Sequence, residues 1–309
     1  MFRLSRIDAL LLLMTLIWGT NYSIVKHAFR EIDPQAFNAG RMAIASALFL
    51  ALIVSVRQAG ARAGNFYSPA PITRSDWWWL AGLGVVGHAL YQYFFIGGLA
   101  RTSVANSSLL LGATPVVIAV ANAALGQERI TRLHWAGALL SVLGMYAVVG
   151  TGAHLSGEHL TGDLMMLVAV ACWATYTIAA RQLMARHSPV GVTGTSMIIG
   201  SALYLVLVNR QVRETDWSVV SAGTWVALVY SALFALCIAY TIWYAAVREI
   251  GSARTSAYSN LIPLVAMLTA ILFLGEPVVT AKLIGAAAVL IGVALTRVGR
   301  TQPVMPAEE

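Results

Sequence analysis

The amino-acid sequence predicts an all-α integral membrane protein, with ten transmembrane helices arranged as two inverted five-helix repeats around a central cavity. Three observations support this fold class: an apolar composition, ten apolar segments of membrane-spanning length, and an internal duplication. Of the 309 residues, 59% are hydrophobic and 11% are charged, whereas soluble domains carry about 25% charged residues. Such a chain has too few polar residues to cover a surface in water, so we expect lipid around it.

The ten apolar segments are long enough to cross about 30 Å of hydrocarbon. The predicted helices span residues 8–29, 36–57, 76–99, 103–125, 133–151, 162–184, 190–208, 222–247, 253–274 and 281–298. Residues 1–151 then form the first five-helix repeat, residues 152–300 the second, and residues 301–309 a cytoplasmic tail. The first apolar run is too long for a signal peptide and recurs later in the chain, so we expect it to be a retained span.

The duplication consists of two pairs of similar segments. The segment around Trp18, LIWGTNYSIVKHAFREIDP, resembles ACWATYTIAARQLMARHSP around Trp173, at an offset of about 155 residues. The segment ANSSLLLGATPVV from Ala105 resembles ARTSAYSNLIPLV from Ala253, at an offset of about 148 residues. Each copy holds five predicted spans. An odd number places the two copies in opposite orientations in the bilayer, an arrangement typical of secondary transporters.

The distribution of Lys and Arg predicts the orientation. With the N-terminus in the cytoplasm, about thirteen basic residues lie in inner segments and about six in outer segments. This bias places both termini in the cytoplasm. The net charge of +7 does not indicate a nucleic-acid partner, because these residues lie in short loops rather than along one face.

Several chemical functions find no support in the sequence. No HExxH motif or other catalytic constellation is present, so we expect no enzyme, no metal site and no cofactor. Gly82, Gly84 and Gly87 match the dinucleotide pattern GxGxxG, but they lie within an apolar helix, where small residues usually serve close packing. Cys172 and Cys237 both lie inside apolar segments and predict no disulfide framework.

Two tryptophans at equivalent positions indicate where the cavity lies. Trp18 and Trp173 are at mid-span, although tryptophan prefers the interface, where its N–H finds a partner. We therefore expect a polar, substrate-binding cavity between helices 1 and 6, to which Asn21, Tyr22 and Tyr176 add hydrogen-bonding groups. The alternative is a polar contact between helices that binds nothing.

Helices 3 and 8 supply further candidate substrate-binding residues. His88, Tyr91 and Gln92 share one face of helix 3, and Tyr240 and Tyr244 share one face of helix 8. An ionisable group inside a membrane span indicates function by default, and histidine titrates near neutral pH. Three roles are open to His88: direct substrate contact, proton coupling, or neutral hydrogen bonding.

Pro115 and Pro263 occupy matching mid-span positions and are predicted to be helix pivots. A mid-helix proline frees the carbonyl four residues earlier, here that of Leu111 or Ser259, and bends the helix. Symmetry-related breaks near the midplane are typical of transporter binding sites. The alternative is a kink that serves packing alone.

Charged residues are scarce inside the predicted spans. No Asp or Glu lies near the middle of any of them, which argues against a carboxylate relay for ions. Lys26 and Arg181 lie nearer the span ends, where they either attract anions or extend to the interface. Small residues recur every seven positions on helices 5 and 10 and predict close packing between these helices or between protomers. They are Gly137, Gly144, Gly285 and Gly292.

These residues resemble those of a known family. WGTNYSIVK from Trp18, the downstream Pro34 and Arg41, and the paired segments LGQERIT and LGEPVVT look like EamA-type members of the drug/metabolite transporter superfamily. Within it, the chain is most similar to the YddG-type bacterial exporters of aromatic and other amino acids. The second copy departs from the pattern, because Ser196 stands where the first copy has Arg41.

The resemblance implies a secondary transporter that exports aromatic and other neutral amino acids across the bacterial inner membrane by alternating access. It also implies a cavity lined mainly by helices 1, 3, 4, 6, 8 and 9. The expected partners are a small-molecule substrate and the lipid bilayer, with no nucleic acid, in a monomer or weak dimer. The alternatives are an exporter of other small metabolites, such as purines, nucleosides, sugars or drugs, and, more remotely, an integral-membrane enzyme or scaffold.

Overall fold

The computed structural model describes residues 5–124, 128–129, 131–151, 157–250, 255, 258–259, 261–277, 280–298 and 302–303. Most of these residues are helical. The predicted tail, residues 301–309, lies outside the described residues except for Gln302–Pro303, which pairs antiparallel with Glu128–Arg129.

Ten long helical segments make up the described bundle. The first half contains α1 (Arg6–Ala28), α2 (Pro34–Ala59), α3 (Arg74–Arg101), α4 (Val104–Gly112, continued as Thr114–Ala124) and α5 (Arg132–Thr151). The second half contains α6 (Gly157–Met184), α7 (Pro189–Leu207), α8 (Ala222–Ile250), α9 (Ile262–Leu274) and α10 (Thr280–Val298). Short helical turns lie at Gly60–Phe66, Asn209–Glu214 and Trp217–Val219.

The outer surface of the bundle is suited to lipid. Within the described residues, α1, α2, α3, α6, α7 and α8 are long and apolar enough to cross a membrane, and shorter apolar helices lie in α4, α9 and α10. Large apolar side chains such as Leu16, Val206 and Phe273 are exposed on this surface. Exposure of such side chains to water is unfavourable, whereas contact with lipid is not. The chain is therefore an integral membrane protein. That all ten helices span the bilayer, as two inverted repeats, stays a prediction.

Side chains cap the helices where backbone N–H groups would otherwise lack partners. The Asp33 carboxylate accepts two backbone N–H groups at the start of α2, and Pro34 is the first helical residue. The Ser188 hydroxyl caps α7 in the same way, followed by Pro189. Proline fits the first helical position because its missing N–H is not needed there. These caps explain why α2 begins at Pro34 and α7 at Pro189, the prolines that end the two similar segments around Trp18 and Trp173.

Four helices depart from regular α-geometry. α3 widens into a π-helical turn at Val85–Leu90, and α8 does so at Ser231–Ile238. α4 is interrupted at Ala113, two residues before Pro115. α9 has Pro263 in its first turn, and its last turn is π-helical at Ala270–Leu274. Such turns alter the hydrogen bonding of nearby carbonyl groups and occur frequently at functional sites.

Glycines permit close contacts between helices. A Cβ atom on Gly144 of α5 would lie 2.8 Å from the Gly285 carbonyl oxygen of α10, and one on Gly292 would lie 2.5 Å from that of Gly137. The predicted close packing between these two helices is confirmed. In the same way, a Cβ atom on Gly84 of α3 would lie 2.8 Å from a backbone oxygen of α7.

The remaining pairings surround the centre of the bundle. α2 packs on α7, α1 on α9, and α6 on both α3 and α4. The centre is thus enclosed by helices from both halves of the chain.

Candidate functional site

A cavity of about 50 Å³ lies at the centre of the bundle, between α1, α3, α4, α6, α8 and α9, with one residue from α2. Seven of the ten predicted substrate-binding residues line it: Trp18, Asn21, Tyr22, Tyr91, Gln92, Trp173 and Tyr240. Pockets for small ligands usually measure about 300–1,000 Å³. The cavity is therefore contracted, and its walls must separate to admit a substrate.

The Trp18 indole lies against the π-helical turn of α8. Its Nε1 donates a hydrogen bond to the Ala235 carbonyl at 2.9 Å. The regular α-helical pattern would engage this carbonyl within the helix, and the widened turn leaves it accessible. Trp18 also meets Trp173 edge-on, with ring centroids 5.8 Å apart. The midplane indole thus has the polar partner that its N–H requires.

Aromatic rings form most of one cavity wall. Trp173 lies 5.0 Å from Tyr91 and 5.3 Å from Tyr240 between ring centroids. Trp243, which the sequence analysis did not single out, lies 5.5 Å from Trp18 and is completely buried. Because these rings approach at edge-on or tilted angles, they pack tightly on one another.

Polar groups of α1 and α3 contribute to the opposite part of the lining. The Asn21 Oδ1 accepts a hydrogen bond of 2.5 Å from Ser231, and the Gln92 Nε2 lies 3.4 Å from the Tyr240 hydroxyl. The Tyr22 hydroxyl and the Gln92 Oε1 are buried and have no hydrogen-bond partner among the described residues. Two residues of the cavity lining therefore each carry a buried polar atom without a hydrogen-bond partner among the described groups.

His88 lies behind the cavity lining rather than in it. Its Nε2 is 3.1 Å from both the Tyr176 hydroxyl and the Ser196 hydroxyl, which are themselves 3.1 Å apart. The Tyr176 ring in turn packs against Tyr244. Within the described residues, His88, Tyr176 and Tyr244 do not line the cavity. With Ser196 they form a cluster behind it that joins α3, α6, α7 and α8.

The predicted pivot Pro263 lies beside the break in α4. A Cβ atom on Gly112, beside the break in α4, would lie 2.9 Å from the Pro263 ring of α9. The Leu111 carbonyl, predicted to be freed by Pro115, accepts a hydrogen bond of 2.6 Å from the Thr114 hydroxyl. Leu111 and Thr114 both line the cavity. The break therefore shapes the wall, although the carbonyl is already engaged.

Several residues that line the cavity were not among the predicted site residues. For some of them the sequence contains a signal that could have identified them, and for others it does not. The small and polar positions on α4 and α9 fall beside the two prolines, so the helix breaks point to them. Arg41 carries no such signal, because its depth depends on the packing of α2. The remaining lining residues are Phe95, Ser108, Gly112, Ala235, Leu236, Ser259 and Ile262.

The two ends of the bundle differ. The end that bears Lys26, Arg101 and His159 has an opening of about 790 Å³. The Lys26 Nζ donates to the carbonyls of Leu99, Ala100 and Thr102, at 2.7 to 2.9 Å. Lys26 therefore caps the C-terminal end of α3. This role was not among the two predicted for it, which were attraction of anions and extension to the interface.

The opposite end is held together by a buried carboxylate. Asp76, in the first turn of α3, is completely buried and bonds to Arg186 and to the His187 Nε2, the latter at 3.1 Å. Both partners belong to the connection between α6 and α7. The carboxylate thus ties α3 to that connection.

Membrane-crossing helices around a small central cavity with polar and aromatic walls are the features of a membrane transporter. The chain belongs to the EamA-like transporter family, which matches residues 5–150 and 160–298. It is similar to the uncharacterized transporter YyaM of Bacillus subtilis, with 25% identity over 287 residues that cover 92% of this chain and 91% of that one.

Two further similarities extend the comparison. A protein of Streptantibioticus cattleyicolor described as a "Probable terminal-alkyne amino-acid exporter" is 25% identical over 293 residues, covering 95% of this chain and 94% of that one. A crystal structure with 20% sequence identity has a TM-score of 0.68 and covers 96% of this chain and 99% of that chain. This likeness concerns the fold alone.

The family match confirms the predicted resemblance to EamA-type transporters. The family and the relatives are transporters and not enzymes. The chain accordingly acts on a small-molecule substrate within the lipid bilayer.

Proposed function

We propose that this protein exports aromatic and other neutral amino acids across the bacterial inner membrane by alternating access. The observation that carries the proposal is the central cavity, which combines packed aromatic rings with unused polar atoms. Rings suit an aromatic or apolar side chain, and buried polar atoms suit the charged groups of a zwitterion. The relative described as a probable amino-acid exporter supports the same substrate class.

In this proposal the lining residues divide by chemistry. The substrate side chain packs among the rings, and its polar groups bind Asn21, Tyr22 and Gln92. The rings are Trp18, Tyr91, Trp173 and Tyr240. The cluster of His88, Tyr176 and Tyr244 supports this wall from behind, because its hydrogen bonds hold α3 against α6 and α7.

Alternating access is supported by the difference between the two ends. The Lys26 end is wide, while the other end is tied by Asp76 to the α6–α7 connection. In the cycle we propose, α4 and α9 bend at Pro115 and Pro263, and each bend opens one end as the other closes. The close approach of Gly112 in α4 to the Pro263 ring in α9 supports a coupling of the two movements.

The arrangement in the membrane follows the sequence pattern. We propose that residues 1–151 and 152–300 are inverted repeats, that both termini lie in the cytoplasm, and that the protein acts as a monomer or weak dimer. The packing of α1 on α9 and of α6 on α4 supports the repeat, because exchanging the two halves converts one pairing into the other.

Thermal stabilisation of the purified protein by a panel of compounds tests the substrate class. A ligand that binds only the folded protein raises its apparent Tm, and the rise grows with the logarithm of the ligand concentration above the Kd. We expect phenylalanine, tryptophan and leucine to stabilise the protein, and purines, nucleosides and sugars to have no effect. Stabilisation by a purine, nucleoside or sugar, with none by amino acids, would reject amino-acid export in favour of another metabolite.

A further inference from the structure

Arg41 is a buried cation in the wall of the central cavity. It lies on α2, seven residues after Pro34 and about 10 Å along the helix axis, and is only 1% exposed. Of the described residues that line the cavity, Arg41 alone carries a permanent charge. An arginine at this depth is too far inside the bundle to be explained by contact with the interface.

The described protein groups do not neutralise this charge. The Arg41 Nη1 donates to the Asn38 Oδ1 at 2.9 Å, while its Nε has no hydrogen-bond partner among the described residues. The ionisable groups that act on it are Tyr240, Tyr204 and Tyr91, and tyrosine is uncharged at neutral pH. A buried guanidinium without an anion is costly. An anion is therefore the partner that this position lacks.

We propose that Arg41 binds the carboxylate of the transported amino acid, an inference that rests on the proposed function and specifies how the site recognises its substrate. The planar guanidinium presents parallel N–H donors that match the two oxygens of a carboxylate. A phosphate dianion would bring a second negative charge to a cavity lining with one cation. A monocarboxylate leaves the pair neutral, and the Tyr22 hydroxyl and Gln92 Oε1 remain as acceptors for the ammonium group.

A strip of amides leads from this position towards the wide opening. Gln35, Asn38 and Arg41 are spaced by three residues on α2, so each step along the strip rises about 4.5 Å. Gln35 lines the opening of about 790 Å³, accepts a hydrogen bond from the Tyr204 hydroxyl, and donates to the Tyr93 carbonyl. Asn38 is completely buried, so of the two amides only Gln35 lies at the opening.

Competition between an acid and its amide tests the role of Arg41. Proteoliposomes loaded with unlabelled phenylalanine take up labelled phenylalanine by exchange, and phenylalanine or phenylalaninamide is added as competitor. We expect the amide, which lacks the carboxylate, to compete at least about tenfold more weakly with the wild-type protein. In Arg41→Gln we expect the KM for phenylalanine to rise at least about tenfold and the preference for the acid to disappear. In Arg41→Lys, which keeps the charge without the planar fork, we expect an intermediate effect.

Arg181→Gln is the matched control, because it removes one cation that is exposed rather than buried. It should retain the wild-type KM and preference. Equal competition by acid and amide in the wild type overturns the proposal, even if Arg41→Gln fails to fold. An unchanged preference in a folded Arg41→Gln also overturns it, while the proposed function stands. If the wild type exchanges no amino acid at all, the proposed function itself fails, and this inference with it.

Discussion

At the scale of single residues, Trp18 illustrates what a polar group needs inside a membrane. Its indole N–H bonds to the Ala235 carbonyl, which the π-helical turn of α8 makes accessible. Inside a membrane span such a donor and acceptor need partners within the protein, and here they bond to each other. The mid-span tryptophan of one helix and the irregular turn of another therefore form a single structural feature.

Replacing Trp18 by phenylalanine keeps an aromatic ring and removes the N–H donor. The Ala235 carbonyl then loses this donor, and we expect a loss of about 0.5–1.5 kcal/mol in the free energy of unfolding. Thermal unfolding of the purified protein should show the apparent Tm fall by several degrees. Trp225→Phe is the control, because Trp225 is 41% exposed near the start of α8. Equal changes in the two variants would contradict the structural role of the Trp18 N–H.

Glu31 predicts a dependence of stability on pH. It lies between α1 and α2, and hydrogen bonds from Ser221 and Thr224 lower the pKa of its carboxyl group. A lowered folded-state pKa means that the carboxylate stabilises the fold above its unfolded-state pKa, near 4.3. That contribution is lost as the pH falls through the folded-state pKa.

We therefore expect the apparent Tm of the wild type to fall more steeply below about pH 4.3 than that of Glu31→Gln, which has no titrating group there. Glu214→Gln serves as the comparison, because Glu214 belongs to an exposed pair with Arg210, and exposed pairs contribute little. Parallel pH profiles for wild type and Glu31→Gln would show that Glu31 has no such effect.

At the scale of helices, the limits were predictable from the sequence and the π-helical turn within α3 was not. The prediction for α1, residues 8–29, differs by two residues or fewer from Arg6–Ala28. Apolar length and capping residues determine such limits. His88, however, lies inside a π-helical turn that no sequence signal indicates. His88 and Gln92 nevertheless both lie against Tyr240, with ring centroids of His88 and Tyr240 5.7 Å apart and the Gln92 Nε2 3.4 Å from the Tyr240 hydroxyl.

Two glycines of α3 offer a matched test of helix contact. A Cβ atom on Gly84 would lie 2.8 Å from the Ser196 oxygen and 3.0 Å from the Gly200 nitrogen, whereas one on Gly82 meets no heavy atom within 4 Å. We expect Gly84→Ala to lower the free energy of unfolding by about 1–3 kcal/mol, because backbone atoms cannot give way. Gly82→Ala should be neutral or slightly stabilising, since alanine favours helix. Similar melting curves for the two variants would contradict the close contact of α3 with α7.

Substitution of the two proposed pivots tests helix movement separately from substrate binding. Pro115→Ala and Pro263→Ala restore a backbone N–H and allow straighter helices, so we expect at least about threefold slower exchange, with substrate stabilisation of the protein unchanged. Pro71→Ala, in an exposed connection outside the helices, should leave the exchange rate as in the wild type. Wild-type rates in both pivot variants would show that the breaks at α4 and α9 serve packing alone.

At the scale of the whole molecule, the central cavity depends on contacts between distant parts of the chain. The repeat and the aromatic positions made Trp18 and Trp173 predictable, because both signals lie in local sequence. The burial of Arg41 was not predictable, since it depends on how α2 packs beside α3 and α7. The tie between Asp76 and the α6–α7 connection joins residues 110 positions apart, which no helical periodicity indicates.

The central claim is that amino acids cross the membrane through this cavity, and exchange in proteoliposomes tests it most directly. Wild-type protein, Trp173→Ala and Trp225→Ala are compared for uptake of labelled phenylalanine against an internal excess of the unlabelled compound. We predict saturable exchange by the wild type and by Trp225→Ala, and at least about tenfold slower exchange by Trp173→Ala, which loses a cavity wall. No exchange by the wild type, or an undiminished rate in a correctly folded Trp173→Ala, would contradict the account.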